Sequence, residues 1–223
     1  MNVVAIVQAR MGSSRLPGKV LLPLIGKPML EIIVDRVGEV DSIDILVVAT
    51  SVSKQDDQLA CVVAGWPGVE LWRGSEEDVL HRYFEAASAY NADVILRVTS
   101  DNPFFHRKTA DSLIEMLREG YDYVSNDLVR SFPLGIGLEV FRFEALASAD
   151  SQATMPYQRE HVTPYIRENP DLFRLGNLEL GRNWSHVRLT VDTEEDYLNA
   201  KALFERFGVN VQFEEVVQWL DQS

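Results

Sequence analysis

Short apolar runs alternate along the chain with segments in which apolar residues recur at helical spacing. The runs predict four strands in the first half of the chain, at residues 3–7, 43–49, 69–72 and 93–98. Helices are predicted in the intervals, at residues 28–37, 53–63 and 75–90. This rhythm is typical of βαβ units, so the pattern favours an α/β fold with one doubly wound, mostly parallel sheet.

The second half of the chain continues the pattern less regularly. Helices are predicted near 108–118, near 155–167, from a Thr193 cap to 207 and near 214–220, with strands near 121–125, 137–141 and 186–191. No repeat, low-complexity tract or linker divides the chain. We therefore expect residues 1–223 to form a single domain, with a small projecting segment at about 125–180.

Charge is distributed unevenly along the chain. The 223 residues carry a formal net charge of −13, which argues against general binding of nucleic acid and against docking on an anionic membrane. Residues 1–30 nevertheless contain no acidic residue and carry four cations, which are Arg10, Arg15, Lys19 and Lys27. A basic island in an acidic chain predicts a site for a small anion.

The cysteine content and the apolar runs indicate the compartment. Cys61 is the only cysteine, so an internal disulfide and a multi-cysteine metal cluster are excluded. No apolar run approaches the roughly 20 residues of a membrane span, and the first residues lack the basic region of a signal peptide. We expect a cytoplasmic protein.

The loop after the first predicted strand is rich in small and basic residues. It reads Gln8-Ala9-Arg10-Met11-Gly12-Ser13-Ser14-Arg15-Leu16-Pro17-Gly18-Lys19. Its glycines and serines let backbone N–H groups approach an anion, and its cations supply charge. It differs from a Walker A loop, because Gly12 and Gly18 enclose five residues and Val20 replaces the magnesium-binding hydroxyl. The loop predicts a triphosphate cradle, with a surface turn that carries solvated cations as the alternative.

Two aspartates follow predicted strands. Asp101 comes after the fourth strand, and Asp192 comes after the strand predicted at 186–191. If these strands are parallel neighbours, both carboxylates reach the sheet edge that carries the basic loop. Carboxylates together with substrate phosphates suit Mg²⁺, so the pair predicts a magnesium site. The alternatives are an Asx-turn before Pro103 for Asp101 and a helix-start residue before the Thr193 cap for Asp192.

The loop motif Arg10-x-x-Ser13-x-Arg15-Leu16-Pro17-Gly18-Lys19 resembles the nucleotide-binding signature of the cytidylyltransferases that activate acidic sugars. Other stretches resemble the spore-coat polysaccharide branch of that family: Gly74-Ser75-Glu76-Glu77-Asp78-Val79-Leu80, Ser100-Asp101-Asn102-Pro103, Arg159-Glu160-His161-Val162-Thr163-Pro164-Tyr165 and Val191-Asp192-Thr193-Glu194-Glu195-Asp196. The resemblance covers nearly the whole chain. It implies a Rossmann-like nucleotidyltransferase fold, in which the segment at about 125–180 serves acceptor binding or dimerisation.

The resemblance also implies roles for individual residues. The nucleotide would be bound by Gln8, Ala9, Arg10, Gly12, Ser13, Arg15, Lys19, Arg73 and Ser100. Arg15, Lys19 and Asp101 would act in catalysis, and Asp101 and Asp192 would hold Mg²⁺. The acceptor would be bound by Glu139, Arg159 and His161, with a helix-capping role as the alternative for His161.

One stretch departs from the family branch. Gly137 stands where the branch usually has an acidic residue, whereas Glu139 is retained. A change at this position alters the wall that faces the acceptor. The resemblance therefore predicts the reaction without naming the acceptor sugar.

The expected reaction is Mg²⁺-dependent transfer of CMP from CTP to a sugar or sugar-acid acceptor, with release of pyrophosphate, in cell-surface polysaccharide synthesis. An in-line attack on the α-phosphorus needs no covalent intermediate. Three alternatives stay open: an enzyme that uses GTP or another nucleotide with a sugar phosphate or a molybdenum cofactor, a glycosyltransferase, and a non-enzymatic nucleotide-binding module. The run Ser100-Asp101-Asn102 lacks the Asp-x-Asp expected of the glycosyltransferase. A homodimer is the default expectation for the assembly.

Overall fold

The computed structural model describes residues 1–222. The strands are β1 Val3–Gln8, β2 Pro23–Leu24, β3 Lys27–Pro28, β4 Ile45–Ser51, β5 Glu70–Gly74, β6 Val94–Thr99, β7 Tyr123–Ser125, β8 Glu139–Arg142 and β9 Leu175–Asn177. The helices are α1 Met29–Gly38, α2 Asp57–Val63, α3 Val79–Ala89, α4 Arg107–Arg118, α5 Phe143–Gln152, α6 Pro156–His161, α7 Pro164–Glu168, α8 Glu194–Phe207 and α9 Phe213–Asp221. None of the helices within these residues is both long and apolar enough to cross a membrane.

The central sheet has the strand order β5-β4-β1-β6-β8-β7-β9. The first four of these strands are mutually parallel, β8 runs antiparallel to both β6 and β7, and β9 is parallel to β7. Strands β2 and β3 form a separate short hairpin. The predicted α/β fold with a mostly parallel sheet is therefore confirmed.

Both faces of the sheet are covered by helices. Along β1, Val3, Ala5 and Val7 pack into one core, whereas Val4 and Ile6 pack into the other. The first core is shared with α1, α2, α4, α8 and α9, and the second with α3, α5 and α7. A strand that is buried on both faces reads as a continuous apolar run, which is why β1 was predicted from its sequence.

Several predicted elements differ from the structure. Residues 186–191 do not form a strand of the sheet, and they make a single parallel bridge between Leu134 and Arg188. The helix predicted near 155–167 is two helices, because Val162 has a positive φ of 72° and Pro164 starts α7. Helix α5, strand β9 and the β2–β3 hairpin were not predicted.

The predicted helix starts were correct in two cases and wrong in two. Thr193 caps α8 in a capping box with Asp196, and α1 begins directly after Pro28. Ser53 makes no side-chain cap, because a short 3₁₀ turn at Lys54–Asp56 precedes α2. Helix α3 begins at Val79 under an Asp78 cap rather than at Ser75.

Gly135 lies against residues 187–190, the segment that leads to Asp192, and fixes the path of that segment. Its φ of +107° is rarely adopted by residues with a side chain, and an added Cβ would overlap the backbone nitrogen of Thr190. The adjacent Leu134 donates its N–H to Val187 and accepts from the N–H of Leu189 at 2.7 Å. These contacts hold the segment against the loop before β8, although it lies outside the sheet.

We expect Gly135→Ala to lower the free energy of unfolding by about 2 kcal/mol or more, since both the strained φ and the overlap with backbone oppose a side chain. Gly181→Ala is the matched control, because an added Cβ there has no neighbour within 4 Å. Urea denaturation would measure both variants. Equal stability of the two variants would contradict the close approach of Gly135 to Thr190.

Candidate active site

The basic loop after β1 is closed on itself and anchored to β4. The N–H of Gly18 donates to the carbonyl of Met11 at 2.9 Å, with Gly18 at a φ of +71°. The N–H of Met11 donates to the Asp56 carboxylate at 2.7 Å, and that carboxylate also accepts the Ser51 hydroxyl. The loop conformation is therefore set by a buried acid from the neighbouring strand-to-helix connection.

Lys19 joins the loop to the two predicted metal ligands. Its Nζ donates to the carbonyl of Val191 at 2.7 Å and lies 3.1 Å from Oδ1 of Asp192. It also lies 3.8 Å from Oδ2 of Asp101. One ammonium group within 4 Å of both carboxylates means that the two acids share one location, as the sequence predicted.

The route by which Asp192 reaches this location differs from the prediction, which assumed parallel neighbouring strands. The N–H of Val191 donates to the backbone carbonyl of Asp101 at 2.8 Å, and the Thr190 hydroxyl donates to the same carbonyl at 3.2 Å. The segment is thus fastened to the loop after β6 by hydrogen bonds from its own end, rather than by sheet pairing.

Asp192 is held ionised by surrounding cations. Burial alone would raise its pKa, and the hydrogen bond and charge of Lys19 are the largest effects that oppose burial. Arg15, at 3.0 Å, and Arg188, also at 3.0 Å, add to this effect, so the pKa of Asp192 lies below its ordinary value. The carboxylate is therefore available as an anionic ligand at neutral pH.

Asp101 has an unused oxygen. Its Oδ1 is buried and has no hydrogen-bond partner among residues 1–222. A buried carboxylate oxygen without a partner is costly, so it is a natural ligand for a cation. Within the described residues no group of three or more His, Cys, Asp or Glu side chains could hold a metal, so a metal ion here would take its other ligands from substrate or water.

A cavity of about 400 Å³ lies over the basic loop. Of the residues predicted to bind nucleotide, all but Arg73 line it: Gln8, Ala9, Arg10, Gly12, Ser13, Arg15, Lys19 and Ser100. Asp101 and Asp192 also line it. We call this space the nucleotide cavity, after the role that the sequence predicts for its residues.

A second cavity, of about 410 Å³, adjoins the first. Its walls come from the loop before β8, including Gly135 and Gly137, and from His161, Thr163 and Arg167 around the α6–α7 break. The residues that line both cavities are Arg97, Thr99, Asp101, His161 and Asp192. We call the second space the acceptor cavity, after the role that the sequence predicts for Glu139 and His161. The two aspartates lie where this cavity meets the nucleotide cavity.

Glu139 lines the acceptor cavity, but its carboxylate is bonded within the protein. It pairs with Arg97 and accepts the hydroxyls of Tyr123 and Thr163, each at 2.6 Å. Burial would raise the pKa of Glu139, but the charge of Arg97 and these hydroxyls hold it below its ordinary value. Arg97 also donates to the Gln8 side chain at 3.1 Å. Glu139 therefore orients Arg97, which lies at the junction of the two cavities.

Gly137 lies beside the side chain of Asp127. An added Cβ at this position would lie 3.9 Å from the side chain of Asp127, which also lines the acceptor cavity. The glycine that departs from the family branch therefore faces a carboxylate supplied from the loop after β7.

The structure does not bring two of the predicted site residues to these cavities. Arg73 donates to the backbone carbonyls of Ser51 and Ser53 and pairs with Asp57, so it supports the β4–α2 connection. Arg159 bonds to Asp78 and Asp150, which joins α6 to α3 and α5. Neither side chain lines either cavity.

Sequence reasoning missed several cavity residues. Arg97 is a charged residue within an apolar strand, and Arg82 falls on the face of α3 that carries the buried Val79, Tyr83 and Ala86. A charge at a position that the periodicity assigns to the core is the signal that identifies both arginines. Arg167 gave no such signal, because its place depends on the break after α6.

Comparison with known proteins agrees with this geometry. The cytidylyltransferase family model matches residues 4–215. The chain is 40% identical over 217 residues to the spore coat polysaccharide biosynthesis protein SpsF of Bacillus subtilis, covering 93% of this chain and 88% of that protein. It resembles the structure of a cytidylyltransferase from Leptospira borgpetersenii serovar Hardjo-bovis with a TM-score of 0.94 and 32% identity, covering 100% of this chain and 94% of the other.

A more distant structure shares the fold. CMP:2-keto-3-deoxy-manno-octonic acid synthetase complexed with CTP is similar with a TM-score of 0.71 and 20% identity, covering 92% of this chain and 99% of the other. The family match spans nearly the whole chain, including the basic loop and both aspartates. The chain therefore belongs to the cytidylyltransferase family, and it is an enzyme of nucleotidyl transfer.

Proposed function

We propose that the enzyme transfers CMP from CTP to a sugar or sugar-acid acceptor, releasing pyrophosphate, in the synthesis of a cell-surface polysaccharide. The observation that carries this proposal is the meeting of two cavities at Asp101 and Asp192. A nucleotide in one cavity and an acceptor in the other would have their reacting groups at that junction. The similarity to a protein named for spore coat polysaccharide synthesis supports the biological setting.

The nucleotide cavity suits a triphosphate. Arg10, Arg15 and Lys19 line it beside the small residues Gly12 and Ser13, so cationic side chains and backbone can both approach phosphate oxygens. Lys19 and Arg15 already contact Asp192, so they lie beside the junction. We assign them to the charge that develops on pyrophosphate as it leaves.

The acceptor cavity contains cations that suit an acidic sugar. The guanidinium of Arg167 makes no hydrogen bond or ion pair in the described chain, although its charge acts on the nearby Glu139. Arg130 is exposed and paired with Asp127. A carboxylate on the acceptor would pair with Arg167, as guanidinium groups commonly do. His161 lies between this region and the nucleotide cavity, so we retain it as an acceptor-binding residue.

The two aspartates fit a divalent cation. The unpartnered oxygen of Asp101 and the ionised Asp192 provide hard oxygen donors on one side of the nucleotide cavity. Mg²⁺ bound there would supply polarisation of the α-phosphate and a lower pKa for an acceptor hydroxyl. Lys19 keeps both carboxylates at one place before any substrate arrives, and Arg188 orients Asp192 from the opposite oxygen.

In the transfer, one bond to the α-phosphorus forms and another breaks. The acceptor oxygen forms a bond to the α-phosphorus, the bond from that phosphorus to the pyrophosphate oxygen breaks, and the acceptor proton passes to solvent. The protein contributes position and charge, as in other phosphoryl transfers. The Arg97–Glu139 pair forms the fixed floor on which the two substrates would meet.

Nucleotide choice tests the proposed function directly. With a panel of sugar-acid acceptors and each of the four nucleoside triphosphates, we expect pyrophosphate release with CTP at a kcat/KM about 10⁴-fold above that with UTP. A pocket that accepts from the cytosine amino group and donates to its N3 rejects uracil, in which the C4 carbonyl accepts and N3–H donates. Equal kcat/KM for CTP and UTP would refute cytidylyl transfer, and CTP binding without pyrophosphate release would indicate a binding module.

The paired aspartates should act as a unit. We expect Asp101→Asn and Asp192→Asn each to lower kcat by roughly 10²-fold or more, with the double variant little worse than either single one. Binding of Mn²⁺ in the presence of CTP, followed by electron paramagnetic resonance, should weaken in parallel. Asp171→Asn, an exposed carboxylate between α7 and β9, is the matched control. Additive losses in the double variant would mean that the two acids act separately.

Arg15 should matter for catalysis and not for folding. Its side chain is 61% exposed, and its ion pair with Asp192 is open to solvent, so Arg15→Ala should change the free energy of unfolding by less than about 0.5 kcal/mol. Its kcat/KM should fall by about 10²- to 10³-fold, as for loss of a donor to developing charge. Arg118→Ala, an exposed change on α4, controls for net charge. Activity within threefold of wild type would remove Arg15 from the site.

A further inference from the structure

Arg82 is a buried cation in the wall of the nucleotide cavity. It lies on α3, only 2% of its surface is exposed, and it lines the cavity together with Val79 from the same helix. Its stem packs against the backbone at the end of β5, since a Cβ on Gly74 would lie 2.8 Å from the Arg82 Cγ. The guanidinium is therefore fixed in place before any ligand binds.

The bonding of Arg82 within the protein is incomplete. Its Nη1 donates to the carbonyl of Ser75 at 2.7 Å, but its buried Nε has no partner in residues 1–222. No carboxylate of the described chain lies within 4 Å of its guanidinium, and Asp56 and Glu76 act on it only as more distant charges. Arg36, which is also buried, donates to three backbone carbonyls. Arg97 also has an unpartnered Nε, but its guanidinium pairs with Glu139.

A buried charge without a counter-ion lowers stability unless a ligand compensates for it. Burial lowers the pKa of Arg82; Tyr83, Asp56 and Glu76 oppose this shift, whereas the nearby charge of Arg10 adds to it. Arg10 is exposed at the cavity and has no ion pair in the described chain. Because Arg15 and Lys19 are already paired with Asp192, the uncompensated positive charge of the cavity is concentrated at Arg10 and Arg82.

We propose that Arg82, together with Arg10, binds a phosphate group of the nucleotide. The inference rests on the proposed use of a nucleoside triphosphate. A phosphate carries both the negative charge and the several acceptor oxygens that a preoriented guanidinium requires. A neutral base would satisfy the hydrogen bonds but not the charge, which is why the phosphate is the favoured partner.

Calorimetric titration of four ligands into the full chain would test the proposal. The ligands are CTP, CMP, cytidine and inorganic tripolyphosphate, each in buffer with Mg²⁺. We expect Arg82→Gln to weaken binding of CTP and tripolyphosphate by about 10- to 100-fold, as for a lost charge-assisted hydrogen bond, and to leave cytidine unchanged. Arg82→Lys, which retains the charge, should lose less, and Arg118→Gln controls for the change in net charge.

The outcomes separate the possible roles of Arg82. Unchanged CTP and tripolyphosphate binding by a folded Arg82→Gln would overturn the proposal and leave the residue a packing role over Gly74. Weaker cytidine binding with unchanged tripolyphosphate would place Arg82 at the base and also overturn it. If Arg82→Gln does not fold, judged by circular dichroism, the same comparison is made with Arg82→Lys. Failure of the wild type to bind CTP would instead refute the proposed function.

Discussion

The ammonium of Lys19 connects parts of the chain that are 172 residues apart in sequence. It bonds to the carbonyl of Val191 and lies between Asp192 and Asp101, so the basic loop, the end of β6 and the segment before α8 form one unit. Only 11% of the Lys19 side chain is exposed, so these contacts are largely shielded from water. Charge interactions are stronger in such a low-dielectric environment than in water. The acids limit repulsion among the loop cations, and the cations lower the pKa of Asp192.

The position of this unit follows from the sheet. Strands β1 and β6 are central and parallel, so their carboxyl ends open at the same edge, where ligands bind in doubly wound folds. The next strand, β8, runs the opposite way, so its amino end, beginning at Glu139, meets the same edge. This reversal brings Glu139 opposite Arg97 and closes the floor between the two cavities.

Elements that are determined by neighbouring residues could be predicted from the sequence, whereas elements that are determined by distant parts of the chain could not. Strand β1 and the capped helix α8 were predicted because burial on both faces and local capping leave marks in consecutive residues. The break at Val162 could not be predicted from nearby residues. A β-branched residue rarely adopts a positive φ, so this conformation is imposed by the surrounding structure. The path of residues 186–191 was predicted wrongly for a similar reason. An apolar run does not reveal whether its backbone pairs with a strand or with loops.

The residues of the site likewise divide into those that the sequence could identify and those that it could not. The basic loop could be identified from its composition, since small residues and cations in one short stretch suit phosphate binding. Arg73 was grouped with it by resemblance, but its guanidinium is bound by the carbonyls of Ser51 and Ser53. Sequence position does not determine which way a long side chain points, and that direction separates the cavity-facing Arg82 from Arg73.

The two cavities are built from different stretches of the chain. Apart from the residues at the junction, the nucleotide cavity draws on the first hundred residues and Glu160, whereas the acceptor cavity draws mainly on 126–139 and 161–167. Substitutions in the latter stretches can therefore change the acceptor without disturbing the loop or the paired aspartates. Gly137 beside Asp127 is such a position, where a wall carboxylate is supplied by a neighbouring loop. Related enzymes with this architecture could therefore differ in acceptor while the basic loop and the paired aspartates stay the same.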